Sequence, residues 1–167
     1  MKNLLVPKAK NGMLFFLIIS CLTFSKCRKE DPSPEFYFQC KVDGVLYEPD
    51  NCANCIGKEI IGDTTLILGG NRGFEALTLG IIDNSNIKVG QYILNGAISK
   101  RGTYKFSTSP NDRFFTDSTH TGFLNITLLD KSNKIIAGNF QYDAFNVQQN
   151  KIVAITQGKF RLNYRSY

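Results

Sequence analysis

Ile152-Val-Ala-Ile-Thr-Gln-Gly-Lys-Phe-Arg-Leu-Asn-Tyr164 is the stretch that decides the fold. Ile152, Ala154, Thr156, Gly158, Phe160, Leu162 and Tyr164 fall on one face in strict alternation, while Gln157, Lys159, Arg161 and Asn163 fall on the other. A period of two belongs to a strand, because successive side chains leave the pleated backbone on opposite sides. A helix repeats about every 3.6 residues, and no segment after residue 35 sustains that period. Ile155 lies opposite Phe160 in this alternation, so burying both requires a bulge or burial on both faces.

The same pattern recurs toward the N-terminus. Phe36, Phe38, Cys40 and Val42 alternate with Tyr37, Gln39 and Lys41. Asp43-Gly44 then separates Val42 from Val45, a two-residue hairpin signal, because glycine accepts φ > 0. Val45-Leu46-Tyr47 returns and stops before Pro49. Further strands are expected at 64–68, 74–82, 91–94, 103–107, 122–129 and 135–145, with turns at 130–133 and 146–150. Many short strands at regular spacing predict an all-β fold: an antiparallel β-sandwich of roughly 8–10 strands, with a flattened β-barrel as the alternative. The expected core contains Phe38, Leu124, Ile126, Phe140, Tyr142, Ile155 or its neighbour Ala154, Phe160 and Leu162. Thirteen Phe and seven Tyr provide bulk for it without any Trp.

The first 35 residues speak to location. Lys2, Lys8 and Lys10 precede the apolar run from Met13 to Phe24, the layout of a secretory signal. The run is too short for a spanning helix, which needs roughly 20 apolar residues. Residues 1–26 therefore read as a signal peptide, 27–35 as a lipidated cysteine and tether, and 36–167 as one β-domain. Cys27 is the expected lipidation site, since cutting before it leaves an apolar core of normal length. Cys21 is the alternative, because Ile18-Ile19-Ser20-Cys21 resembles a lipobox more closely than Phe24-Ser25-Lys26-Cys27 does. Acyl chains at about 0.8 kcal/mol per buried CH₂ would make the membrane a partner. Asp31-Pro32-Ser33-Pro34-Glu35 reads as an extended spacer.

Charge narrows the partners. The formal net charge of +6 is misleading, because four of the 20 basic residues precede residue 27 and all 14 acidic ones follow it. The remainder is nearly balanced, with Lys100-Arg101 the one adjacent basic pair past the tether. A nucleic-acid partner is therefore not expected.

Several motifs resemble a known family. Phe38-Gln-Cys-Lys-Val-Asp-Gly44 resembles its opening strand and turn, and Val89-Gly-Gln-Tyr-Ile-Leu94 its central "G-x-Y-x-L". Residues 122–129, Ile135-Ile-Ala-Gly-Asn-Phe140 and Ile155-Thr-Gln-Gly-Lys-Phe-Arg-Leu162 resemble its closing strands. Together they resemble a family of uncharacterised Bacteroidetes lipoproteins with an all-β domain, over most of residues 36–164. Cys27-Arg-Lys-Glu-Asp31 is similar to the lysine-plus-acid signal that follows the anchor cysteine in surface-exposed lipoproteins of that group. Cys40 departs from the small residue usual at its position. The resemblance implies an outer-membrane or cell-surface location and brings no catalytic residues with it.

Candidate chemistry is sparse. Cys52-Ala-Asn-Cys55 can form a disulfide in an exported protein, supply half of a zinc site with Cys40 and His120, or act as a redox pair. Its place in a loop of an all-β chain favours the disulfide or plain loop thiols over a redox motif that should open a helix. Cys40, on the face of Phe38, reads as a small buried apolar residue. His120 is the one histidine, and Ser107, Ser109 or Asp117 are the partners a hydrolytic triad would need. Asp83-Asn84-Ser85-Asn86 reads as a turn rather than a calcium loop. Tyr104, Phe106, Phe114 and Phe115 read as core before they read as an exposed stacking surface. No catalytic residue, metal ligand or cofactor is assigned. The expected function is binding or structural support at the cell surface, toward a surface protein or a glycan. A lipid-anchored hydrolase acting on glycan or another surface substrate is the alternative.

Overall fold

In the computed structural model, residues 36–167 are described. The signal peptide at 1–26, the tether at 27–35 and the candidate anchors Cys21 and Cys27 lie outside the described residues.

The alternation in the closing strand breaks once, at Gln157. Phe140 pairs with Gly158, yet Tyr142 pairs with Ile155, so this strand carries one residue more than its neighbour between those points. The same extra residue faces the opening strand, where Gln39 pairs with Lys159 and Lys41 with Thr156. Gln157 takes the left-handed conformation, φ 53°. This bulge shifts the alternation by one. Val153 and Ile155 turn inward on the side of Phe160, Leu162 and Tyr164, while Ile152 turns out. The strict-alternation face that contained Ile152, Ala154 and Thr156 is thereby corrected, and Ile155, not Ala154, is the buried neighbour.

The strands are β1 Tyr37–Val42, β2 Val45–Tyr47, β3 Ile56–Ile61, β4 Thr65–Arg72, β5 Glu75–Ile82, β6 Gly90–Leu94, β7 Lys100–Lys105, β8 Arg113–Phe115, β9 Gly122–Asp130, β10 Ile135–Asn146, β11 Lys151–Asn163 and β12 Arg165–Ser166. The described residues thus hold 12 strands rather than roughly 8–10. The additions are β3, β8 and β12, all short or rich in polar residues. All pairs are antiparallel except β12 with β3. The strands join one sheet in the order β12-β3-β4-β5-β7-β8-β10-β11-β1-β2, with β9 on β10 and β6 on β9. The chain is all-β, as its alternation implies.

The sheet folds over on itself around a single apolar core. Contacts run from one half to the other. The Tyr47 hydroxyl donates to the Gly70 carbonyl at 2.6 Å, and that of Tyr142 donates to the Thr103 carbonyl at 2.7 Å. Within one half, the Phe38 and Phe140 rings stack over β11, the strand between them, at 5.3 Å between centroids. Phe38, Leu124, Ile126, Phe140, Tyr142, Ile155, Phe160 and Leu162 are all buried. The hairpin at Asp43-Gly44 forms, with φ of 48° and 83°. Its Asp43 carboxylate accepts the Ala154 N–H at 2.9 Å, which docks the turn on β11.

Candidate functional site

Alternation decides which β7 and β8 side chains face outward. Gly102, Tyr104 and Phe114 point inward, so Arg101, Thr103, Lys105, Arg113 and Phe115 lie on the outer face. The ladder then brings distant segments together. Thr103 pairs with Phe115, Lys105 with Arg113, and Phe115 with Phe145 on β10. The four aromatics read as core divide accordingly. Tyr104 and Phe114 are buried, whereas Phe106 and Phe115 are exposed.

A cleft of about 370 Å³ opens where β7, β8 and β10 meet. Arg101, Arg113, Phe115, Asp117, Phe145 and Asn146 line it, with Gly96 at one margin. Two loops form its walls. One contains the 3-10 turn Pro110–Asp112, capped by the Ser109 hydroxyl accepting from the Asn111 N–H. It is latched to the β10–β11 turn, because Asn146 Nδ2 donates to the Asn111 carbonyl at 2.7 Å and Gln149 Nε2 to Asp112 Oδ1 at 2.7 Å. The other wall is the β6–β7 loop. A Cβ at Gly96 would meet the Thr116 carbonyl at 2.3 Å, so only glycine lets the loop seat this closely, with φ 80°.

Arg101 is held in place. Its Nη2 donates to the Gly96 carbonyl at 2.9 Å, and its guanidinium carbon lies 5.5 Å from the Phe115 ring centre. Its Nε is buried without a hydrogen-bond partner, a costly arrangement for a charged group. Among the described residues no carboxylate lies within 4.0 Å of Arg101 or Arg113. The nearby acids are occupied. Asp112 accepts from Ser107 and Gln149. Asp117 accepts the N–H groups of Thr119 and His120 at 2.7 and 2.6 Å, and these bonds with the His120 ring hold its carboxyl below the usual range.

His120 sits beside the cleft with its ring stacked on Phe145 at 4.6 Å, and Nδ1 lies 2.9 Å from Asp117 Oδ2. Of its named triad partners, the structure brings only Asp117 to it. Ser107 bonds Asp112 and Ser109 caps the 3-10 turn, so both hydroxyls serve the wall loop. Cys52 and Cys55 are joined by a disulfide with 5.2 Å between their Cα atoms, in the loop before β3. Cys40 is free and buried, and burial pushes its thiol up to about 12. Among the described residues no three of His, Cys, Asp and Glu converge on one point. Asp83 accepts the Ser85 N–H and hydroxyl, which makes that segment a self-bonded turn.

Sequence reasoning missed Arg101, Arg113, Phe145 and Asn146 as neighbours. The signals were the Lys100-Arg101 pair and the adjacent Phe114-Phe115, of which a strand can bury only one. The register of three separate strands was needed to join them. A family model described as Domain of unknown function (DUF6252) matches residues 35–162. No curated protein and no solved structure matches the chain.

Proposed function

The chain belongs to the family described as Domain of unknown function (DUF6252), and from that premise we propose that it is a lipid-anchored binding protein of the outer membrane or cell surface, with the cleft at Arg101 and Phe145 as its ligand site. The basic leader, the short apolar run and Cys27 with its charged follow-on support the anchor, as does the resemblance to Bacteroidetes lipoproteins. The observation that carries the ligand site is the pair Arg101 and Arg113, without an acid partner among the described residues, beside the rings of Phe115 and Phe145. Fixed cations next to aromatic faces suit a partner with acceptor groups and C–H surface, either a glycan or a surface protein.

Two measurements test this. Mass spectrometry of the mature N-terminus should find acylated Cys27, and acylated Cys21 or an unmodified start refutes that anchor. A glycan and peptide array probed with the full chain should give binders lost in Arg101→Gln and Phe145→Ala. Binding indifferent to both substitutions, or no binding at all, refutes the cleft. A hydrolase at the same place is favoured by one observation, the Asp117–His120 pair at the cleft margin. Release of reducing ends that is lost in His120→Ala would support that reading.

A further inference from the structure

The cleft does not end at Phe115. Gly57 pairs with Gly69, Gly69 with Thr78, Thr78 with Thr103, Thr103 with Phe115 and Phe115 with Phe145. These residues form one row across the outer face of six strands, β3, β4, β5, β7, β8 and β10. Three depressions lie end to end along it. The first holds Gly57, Gly69 and Thr78. The second, of about 310 Å³, holds Thr78, Thr103 and Phe115. The third is the cleft at Phe115 and Phe145. Five strand spacings of about 4.8 Å make the row roughly 24 Å long.

The geometry points to an extended groove for an acidic polysaccharide chain, laid across the strands with its acidic groups held at Arg101 and Arg113. This rests on the cleft being the ligand site. The positive charge runs along the second and third depressions, where Lys105 and Arg113 line the one and Arg101 and Arg113 the other. Glu59 lies on the same face at the opposite end, beside Arg165. The first depression has no charged lining and offers the amides of Asn54 and Asn71 beside the Thr78 hydroxyl, and the second adds the Thr103 hydroxyl. Such a lining suits sugar hydroxyls. A peptide would have to lie across strands whose backbone groups already pair with one another, whereas strand addition needs a free edge. A nucleic acid would need cations along its whole length.

Gly57 gives an independent sign of a ligand. A Cβ there would meet only the Gly69 nitrogen, at 3.9 Å, which is ordinary contact. Its φ is not in the left-handed range. Neither packing nor backbone therefore requires glycine in the middle of β3, where glycine weakens a strand. Its effect is to keep the groove floor low enough for close approach.

The test uses the detergent-purified full chain in calorimetric titrations with polygalacturonate, dextran sulfate, neutral dextran, a galacturonate dimer and a DNA oligonucleotide. One or both polyanionic polysaccharides should bind, and their comparison separates carboxylate from sulfate recognition. Combined Arg101→Gln and Arg113→Gln should weaken that binding at least about tenfold, the scale of one charged hydrogen bond. Gly57→Val, and separately Asn54→Ala, should weaken the polymer severalfold and leave the dimer unchanged. Equal binding of dextran, tighter binding of the oligonucleotide, or no binding of either polyanion overturns the proposal. If the arginine substitutions act but Gly57→Val and Asn54→Ala do not, the groove is refuted and the cleft stands. If the arginine substitutions do nothing, the cleft itself falls.

Discussion

Gly57 and Gly69 face each other across β3 and β4, yet replacing them should move stability in opposite directions. At Gly57 an added side chain meets open surface, with its one close atom at 3.9 Å. Valine there relieves the entropic cost of glycine in a strand, about 0.5–1 kcal/mol, and supplies a residue that prefers the pleated backbone. For a domain of this size, roughly 4 °C of Tm accompanies each kcal/mol. Gly57→Val should therefore raise Tm by roughly 2–4 °C. At Gly69 a Cβ would stand 2.3 Å from the Leu77 carbonyl and 3.2 Å from the Thr78 Cα. Both are backbone, so β4 and β5 must part. Overpacking of that kind costs about 1–3 kcal/mol, so Gly69→Ala should lower Tm by roughly 4–12 °C. Scanning calorimetry of the two variants beside the parent chain measures both. A drop in Tm for Gly57→Val would sink the claim that the fold has no need of that glycine. An unchanged Gly69→Ala would show that the close approach at β4–β5 yields freely.

Three further outcomes follow from the same geometry. Gln157 is exposed with φ 53°, so Gln157→Gly should stabilise by up to about 1 kcal/mol and the β-branched Gln157→Val should destabilise, a ranking read from urea melts; the reverse order would remove the bulge from the account. Cys52→Ser with Cys55→Ser should cost no more than about 2 kcal/mol by the loop-entropy relation, because the Asn71 N–H still donates to the Cys55 carbonyl and the Asp50 N–H to the Asn71 carbonyl; loss of the folded circular-dichroism spectrum contradicts this. Cys40 should resist iodoacetamide at pH 8 in the native chain and react once urea unfolds it, and because burial raises its pKa from 9.0 to about 12, its contribution to stability is complete below pH 9 and declines as pH rises toward 12.

The long strands were legible because each announces its own period. β9, β10 and β11 carry nine, 12 and 13 residues, enough for alternation to show even across a bulge. The bulge itself left a trace, the conflict between Ile155 and Phe160. β3 left almost none, since Gly57-Lys58-Glu59 interrupts its apolar residues, and β8 is only three residues long. The cleft was illegible for a different reason. Arg101, Arg113, Phe115 and Phe145 come from three strands, and only hydrogen-bonded register places them side by side. No local pattern encodes that register.

The glycines separate what the fold needs from what the surface needs. Those facing inward are sockets. A Cβ at Gly158 would strike the Phe140 ring at 2.5 Å, one at Gly138 the Phe160 ring at 2.8 Å, and one at Gly102 the Tyr142 ring at 3.0 Å. Each leaves room for a large ring close to the backbone, which is how a chain without Trp fills its interior. On the outer face, Gly80 meets nothing within 4 Å and Gly57 almost nothing. Gly80 pairs with Arg101, and Gly57 opens the row that leads to Phe115. Gly69 is the exception on that face, since a Cβ there would meet the Leu77 carbonyl at 2.3 Å. Inside, glycine makes room for an aromatic ring of the protein itself. Outside, at Gly57 and Gly80, the corresponding space stays open.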